Sequence, residues 1–487
     1  MNPERLLHLL QYDQNNPLLF NSGLFLFLFL GFLSVYSFIY HKPNLRVLWV
    51  VVFSVYFYYK SSGWYFLVMI GTSIVAHYLS LYLYLKGKNW QRKAAFLFSL
   101  CLFLGLLGLF KYLDFVIGIW NSFAEKHISP KHLFLPLGIS FYTFELISYT
   151  TDVYQRKFKP VKRLDDFLFY ISFFPHLVAG PIVRPHELVP QIRGKINFVK
   201  EWIGKGTFLI ICGLVKKAII SDYIGVNFVD RVFENPTLYS GVENLLAVYG
   251  YTLQIYCDFS GYSDMAVGIA LWMGFKLPLN FNVPYSALSL TDFWKRWHIS
   301  LSSWLRDYLY IPLGGNKKGI FRTYLNLFIT MLLGGLWHGA SWKFVVWGGL
   351  HGFMLAIERM LKKVFPKPNT SFVGKRIAWL YTFHLVAFCW IFFRAANFEQ
   401  AISVIHQIGN SFHPELFITI LSAYPEVFSG IAIGYLLHWT PRKIDQAIES
   451  GFIKMPLWLQ SLMLALIIWV TFQTLSANVQ PFIYFQF

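Results

Sequence analysis

Charge is what this sequence has least of. Asp, Glu, Lys and Arg together make up 14% of its 487 residues, against roughly 25% in soluble domains, so a water-facing shell cannot be built around a chain of this length. Acidic residues are the scarcer half, 24 against 42 basic ones. Cysteine is nearly absent. Cys101, Cys212, Cys257 and Cys389 lie far apart inside apolar runs, with no Cys-x-x-Cys pair, which argues against a disulfide framework or a thiolate metal site. Also missing are a Gly-x-Ser-x-Gly nucleophile elbow, a Gly-x-x-x-x-Gly-Lys-Ser/Thr phosphate loop and a His-Glu-x-x-His zinc helix. His186-Glu187 is followed by Leu188-Val189-Pro190, which breaks the helix a zinc protease needs. No fixed repeat, low-complexity linker or polar block of domain size divides the chain, so one domain over 1–487 is expected.

Apolar residues are abundant. They reach 56%, with 50 Phe, 29 Tyr and 17 Trp, and an apolar exterior costs no hydration free energy where the solvent is hydrocarbon. Stretches long enough, or nearly so, to span a bilayer lie near 17–40, 45–60, 64–86, 94–121, 133–152, 206–226, 244–274, 323–337, 342–360, 377–394, 416–439 and 456–476. They predict an all-α polytopic membrane protein with about 11–12 transmembrane helices. Basic residues set the orientation. Lys42 and Arg46, then Lys86, Lys88, Arg92 and Lys93, then those from Arg156 to Arg163 follow every second span, which puts these loops in the cytoplasm and the N-terminus outside. The same clustering reads the net charge of +18 as topology-fixing charge that touches anionic lipid, not as a nucleic-acid stripe.

Three segments depart from simple spans. The run Phe167 to Val183 is broken by Pro175, Gly180 and Pro181, so Phe173 to Pro181 reads as a re-entrant segment wrapped in protein or lining a wet cavity. From Asp292 to Tyr308, the residues Trp294, Trp297, Leu301, Trp304, Leu305 and Tyr308 recur at helical spacing, with Lys295, Arg296 and Arg306 on other faces. This predicts an interfacial amphipathic helix capped by Asp292. Finally, His338 ends one apolar run just before the next begins, among Gly334, Gly335, Gly339 and Ala340. An ionisable group at that depth is a functional candidate, the alternative being a histidine bonded to a neighbouring helix carbonyl.

Cys257 to Ala266, Asn280-Phe281-Asn282, the Trp297-His298 helix and Leu336-Trp337-His338-Gly339 together resemble the membrane-bound O-acyltransferase family. The resemblance runs from about Leu133 onward. Tyr310 to Asn316 and the ending Pro481 to Phe487 favour the bacterial branch that O-acetylates alginate and peptidoglycan over its D-alanyl-transferring relatives. It implies peripheral N-terminal spans over 1–132, a core over 133–394 with a central tunnel, and C-terminal spans over 395–487. His338 would match the family's essential histidine and His298 its second position; the charge-based topology places His298 in a cytoplasmic loop and His338 at the end of a span that runs outward, so the two would lie toward opposite ends of one passage.

The expected activity is transfer of an acyl group, acetyl by resemblance, from a cytoplasmic thioester such as acetyl-CoA toward an extracytoplasmic polysaccharide or peptidoglycan hydroxyl. No bound cofactor or metal is expected. His338 would act as general base, and His298 as second base, donor to the thioester carbonyl, or gate. Lys295, Arg296 and Arg306, with Lys317 and Lys318, form a positive rim for the donor's phosphates, although lipid headgroups explain the same charges. Asp258 and Asp264 would orient the tunnel or a histidine, or else pair with a nearby cation, and Trp337 joins the candidate donor site. The resemblance also implies a separate extracytoplasmic serine-esterase-like partner and residence in the bacterial inner membrane. A transporter without acyl chemistry is the competing reading, against which stands the absence of repeated halves; an acyltransferase acting on lipid, protein or teichoic acid is a further one.

Overall fold

A computed structural model describes residues 9–14, 17–85, 88–124, 127–196, 198–364, 371–474 and 482–483. Lys86, residues 365–370 and most of the ending Pro481 to Phe487 therefore lie outside the described residues. Helices and turns make up the fold, with no strand among the described residues. Two compact units form, Met1–Ile210 with Ser263–Pro278, and Ile211–Tyr262 with Leu279–Phe487. They interleave along the chain, whereas the division drawn from sequence is consecutive.

Phenylalanine builds the core of the first unit. Helix α1 (Pro43–Ser62) begins with proline in its first turn, where a missing N–H costs nothing. Its Phe53 and Phe57 rings lie 5.0 and 5.7 Å from Phe174, which Phe32, Phe29 and Phe25 also surround. Phe174 stands on the re-entrant segment, whose residues from Phe173 to Val183 are all buried. Of the two settings open to such a segment, it is therefore wrapped in protein. The Phe174 N–H donates to Ser54 Oγ at 3.1 Å, so the break leaves this amide paired. Helix α2 (Ile139–Tyr154) is buried from Ile139 to Val153. Gly138 before it has φ +74°, and a Cβ there would sit 2.5 Å from Leu177 O, so only glycine fits. Arg46 is 1% exposed and donates to the carbonyls of Tyr40, Ile192 and Gly194 at 2.7–2.9 Å.

The second unit takes the long helix α3 (Gly241–Trp272) as far as Tyr262, then the short helices α4 (Leu290–Trp294) and α5 (Ile299–Leu305), and then α6 (Ile320–His338), α7 (Trp342–Val364) and α8 (Phe372–Arg394). Helices α6 and α7 form a hairpin that closes on glycine. A Cβ on Gly335 would stand 2.3 Å from Phe344 O, and one on Gly348 would stand 2.4 Å from Met331 O, the close approach that small residues permit.

Among the described residues, five helices are long and apolar enough to cross a membrane, or up to seven if each of two bent pairs is one span, against the 11–12 expected. Apolar runs elsewhere fold as shorter helices or carry π-turns, as at Val215–Ser221 and Gly225–Val229. Large apolar side chains such as Phe27, Phe38, Phe321 and Trp458 remain exposed, a surface that hydrocarbon solvates without penalty.

Candidate active site

The predicted helix over 292–308 is divided at His298. That residue takes a left-handed backbone, φ +44° and ψ 56°, between α4 and α5, a conformation histidine adopts more readily than most side chains. Pairing with an upstream strip fixes the bend. Ile299 N–H donates to Asn280 O and Asn282 N–H to Arg296 O, both at 2.9 Å. Trp297, Leu301, Trp304 and Leu305 are buried, so the aromatic stripe faces protein and not the membrane surface.

Asn280 sets the state of His298. Its Oδ1 accepts from Ser300 N–H at 3.3 Å and Ser300 Oγ at 2.9 Å, and lies 3.1 Å from His298 Nδ1. The backbone donor identifies that atom as the acceptor, which assigns the proton to Nδ1 and the lone pair to Nε2. Burial pushes the imidazole down to about 3, so the ring is neutral at physiological pH. Sequence reasoning used Asn280 only as a motif letter, because its role depends on a contact 18 residues away.

His338 ends α6, is 4% exposed and sits among the rings of Trp337, Trp347 and Phe393 at 5.0–5.2 Å. Gly339 follows because a Cβ there would be 2.2 Å from the Phe344 ring. The Trp337 ring also lies 6.1 Å from that of His298. The two histidines therefore flank one indole, instead of standing at opposite ends of a passage as the charge-based topology suggested. The strip carrying His298 folds back along α6, a long-range contact that loop charge does not encode.

Next to His298, by way of Ile299, is a cavity of about 560 Å³. Ile299, Leu305 and Met331 contribute to its apolar wall and Lys295, Arg306, Arg359 and Lys362 its cations. Neither histidine is among the lining residues; Ile299 directly follows His298, and Met331 precedes His338 by two helical turns, roughly 10 Å. Arg359 and Lys362 escaped the sequence reading, although their spacing of three places both on one helix face. Glu358 accepts Leu290 N–H and the Thr291 hydroxyl at 2.7 Å and pairs with Lys362, tying α7 to the start of α4.

The other sequence candidates separate. Arg296 is held by Asp292 at 2.9 Å and does not line the cavity. Arg306 does, while pairing with Asp307 at 2.7 Å in an exposed bridge that contributes little stability. Asp258 is in the pairing alternative: it meets Lys217 Nζ at 2.6 Å and accepts Ile483 N–H at 3.0 Å, while Lys217 also meets Asp222 at 2.7 Å. Asp264 is half-buried and belongs to the first unit.

Comparison with known proteins gives this geometry its setting. The family model for the membrane-bound O-acyltransferase family matches residues 153–399, which include both histidines and every cation of the cavity. The chain is 38% identical to the peptidoglycan O-acetyltransferase of Helicobacter pylori, over 80% of this chain and 79% of that one. It is 42% identical to a Pseudomonas aeruginosa protein named "Probable alginate O-acetylase AlgI", over 79% and 73%. Similarity to the teichoic acid D-alanyltransferase of Bacillus subtilis is lower, 32% over 59% of this chain and 76% of the relative.

Proposed function

This chain belongs to the membrane-bound O-acyltransferase family, and from that premise we propose that it carries an acetyl group from a cytoplasmic thioester toward a polysaccharide or peptidoglycan hydroxyl outside the bacterial cytoplasmic membrane. That it is a membrane-embedded O-acyltransferase follows from membership and from its span-length helices. The observations that carry the finer reading are the pair of imidazoles on Trp337 and a cavity with four cations whose lining includes Ile299, the neighbour of His298. Four positive side chains suit the phosphates of a coenzyme A thioester, and the apolar wall suits its acyl arm.

In this reading His338 is the general base. The acceptor oxygen attacks the thioester carbonyl carbon as His338 takes the hydroxyl proton; the C–S bond breaks, and the proton passes to the departing thiolate, leaving an ester and a thiol. With Nδ1–H committed to Asn280, His298 offers a proton acceptor through Nε2. A neutral ring in this tautomer does not donate to the carbonyl oxygen from Nε2, and with its basicity depressed to about 3 it is a weak second base beside His338. In this reading glycans beyond the membrane, the polymers that the relatives' names give as alginate and peptidoglycan, are reached through an exported serine-esterase-like partner that takes the acetyl group onward.

The test is His338→Ala, with acetylated product and membrane abundance measured together. Loss of product at unchanged abundance is the expected result. Full product formation would remove the acyltransfer role from His338 and leave the transporter reading standing.

A further inference from the structure

A second cleft of about 420 Å³ lies in the second unit and shares no lining residue with the cavity beside the histidines. Its charged lining residues are Lys375 and Arg376, and no carboxylate lines it. Both are exposed, and among the described residues neither makes an ion pair. The Arg376 guanidinium sits over the Phe372 ring at 5.1 Å, which holds one cation in place.

Two tryptophans complete the wall, Trp379 one helical turn after Lys375 on α8. Trp379 and Trp439 meet edge to face at 5.3 Å, and both indole N–H groups donate to Tyr285 O, at 2.8 and 3.3 Å. Tyr285 is itself buried, with its hydroxyl donating to Thr252 O at 2.6 Å and its N–H to His438 Nε2 at 3.1 Å. The indoles thus offer hydrocarbon to the cleft, their donors being already used. Beyond it, Val373, Ile377, Leu380 and Tyr381 on α8 stay exposed. Two uncompensated cations, a tryptophan wall and a continuing apolar helix surface form a sequence of environments that a phospholipid matches from headgroup to acyl chain.

We propose that this cleft binds the phosphodiester headgroup of an anionic phospholipid, whose acyl chains lie along the exposed side of α8. A free phosphate ester shares the headgroup chemistry, but it would leave the adjoining apolar strip unused. The site is separate from the donor cavity, so its test reads lipid and not acetyl transfer and stands apart from the reading above.

The full-length protein, purified in a mild detergent, is titrated with phosphatidylglycerol and with phosphatidylcholine, and bound lipid is counted by native mass spectrometry. The wild type is expected to hold phosphatidylglycerol selectively. Lys375→Gln with Arg376→Gln, both at exposed positions, is expected to weaken that binding on the order of 10- to 30-fold, whereas Lys131→Gln, at an exposed position that lines neither cavity, leaves it unchanged. Equal retention of the two lipids, or equal phosphatidylglycerol binding by wild type and the 375/376 variant, overturns the proposal. Displacement of the lipid by millimolar inorganic phosphate or glycerophosphate overturns it in favour of a soluble anion; resistance to both supports the lipid.

Discussion

His176 in the first unit and the His298–His338 pair in the second are all buried imidazoles, yet their surroundings differ in kind. His176 Nδ1 lies 3.0 Å from Glu145 Oε1, an ion-pair distance without hydrogen-bond alignment, and that oxygen also accepts Val183 N–H at 3.1 Å. Both side chains are at most 2% exposed, His176 standing on the re-entrant segment itself. His298 is instead bonded by a neutral amide that selects its tautomer, and it adjoins a residue lining a cavity with four cations. Burial alone therefore does not mark a reactive histidine. In the proposed function, a defined lone pair and a nearby void with charge suited to a substrate are what set His298 apart.

The contrast is tested most sharply by truncating both kinds of histidine. His338→Ala is expected to cut acetyl transfer by about 10²- to 10⁴-fold with membrane abundance preserved. His176→Ala is expected to lower abundance and thermal midpoint, because it strands a buried carboxylate at a cost of roughly 3–5 kcal/mol. An inactive His176→Ala protein of normal stability would break the comparison.

Asn280→Ala probes the tautomer. Losing the acceptor of His298 Nδ1–H should lower kcat about 10- to 100-fold, a hydrogen-bond loss of roughly 1–3 kcal/mol, with little change in donor KM. At the cavity, Arg359→Gln with Lys362→Gln should raise donor KM about 3- to 10-fold, and the effect should shrink between low and high salt as screening removes the attraction. Salt-independent KM would detach these cations from donor binding.

The smallest expected effect concerns acid stability. His298 in the folded chain holds its proton only below about 3, whereas an unfolded histidine binds one near 6.5. The unfolded state therefore gains a proton that the folded state refuses, so stability present above pH 6.5 is lost as pH falls, by at most about 1.4 kcal/mol per unit from this group. The thermal midpoint of His298→Gln should drop less between pH 7 and pH 5 than that of the wild type. Parallel slopes would contradict the assigned burial.

Sequence alone determined the solvent, the helical class and the two histidines worth watching. Those follow from composition, from apolar runs read residue by residue, and from motif resemblance, all local properties of the chain. It also exposed the break at Pro175, Gly180 and Pro181 and two of the four cavity cations, Lys295 and Arg306. Tertiary structure decided the rest: that His298 bends the predicted amphipathic helix, that Asn280 fixes its proton, that Trp337 stands between the histidines, that α7 supplies Arg359 and Lys362, and that Asp258 is occupied by Lys217. Each of these depends on residues distant in sequence becoming neighbours, and such meetings are governed by close packing and the pairing of buried polar groups, neither of which a linear pattern records.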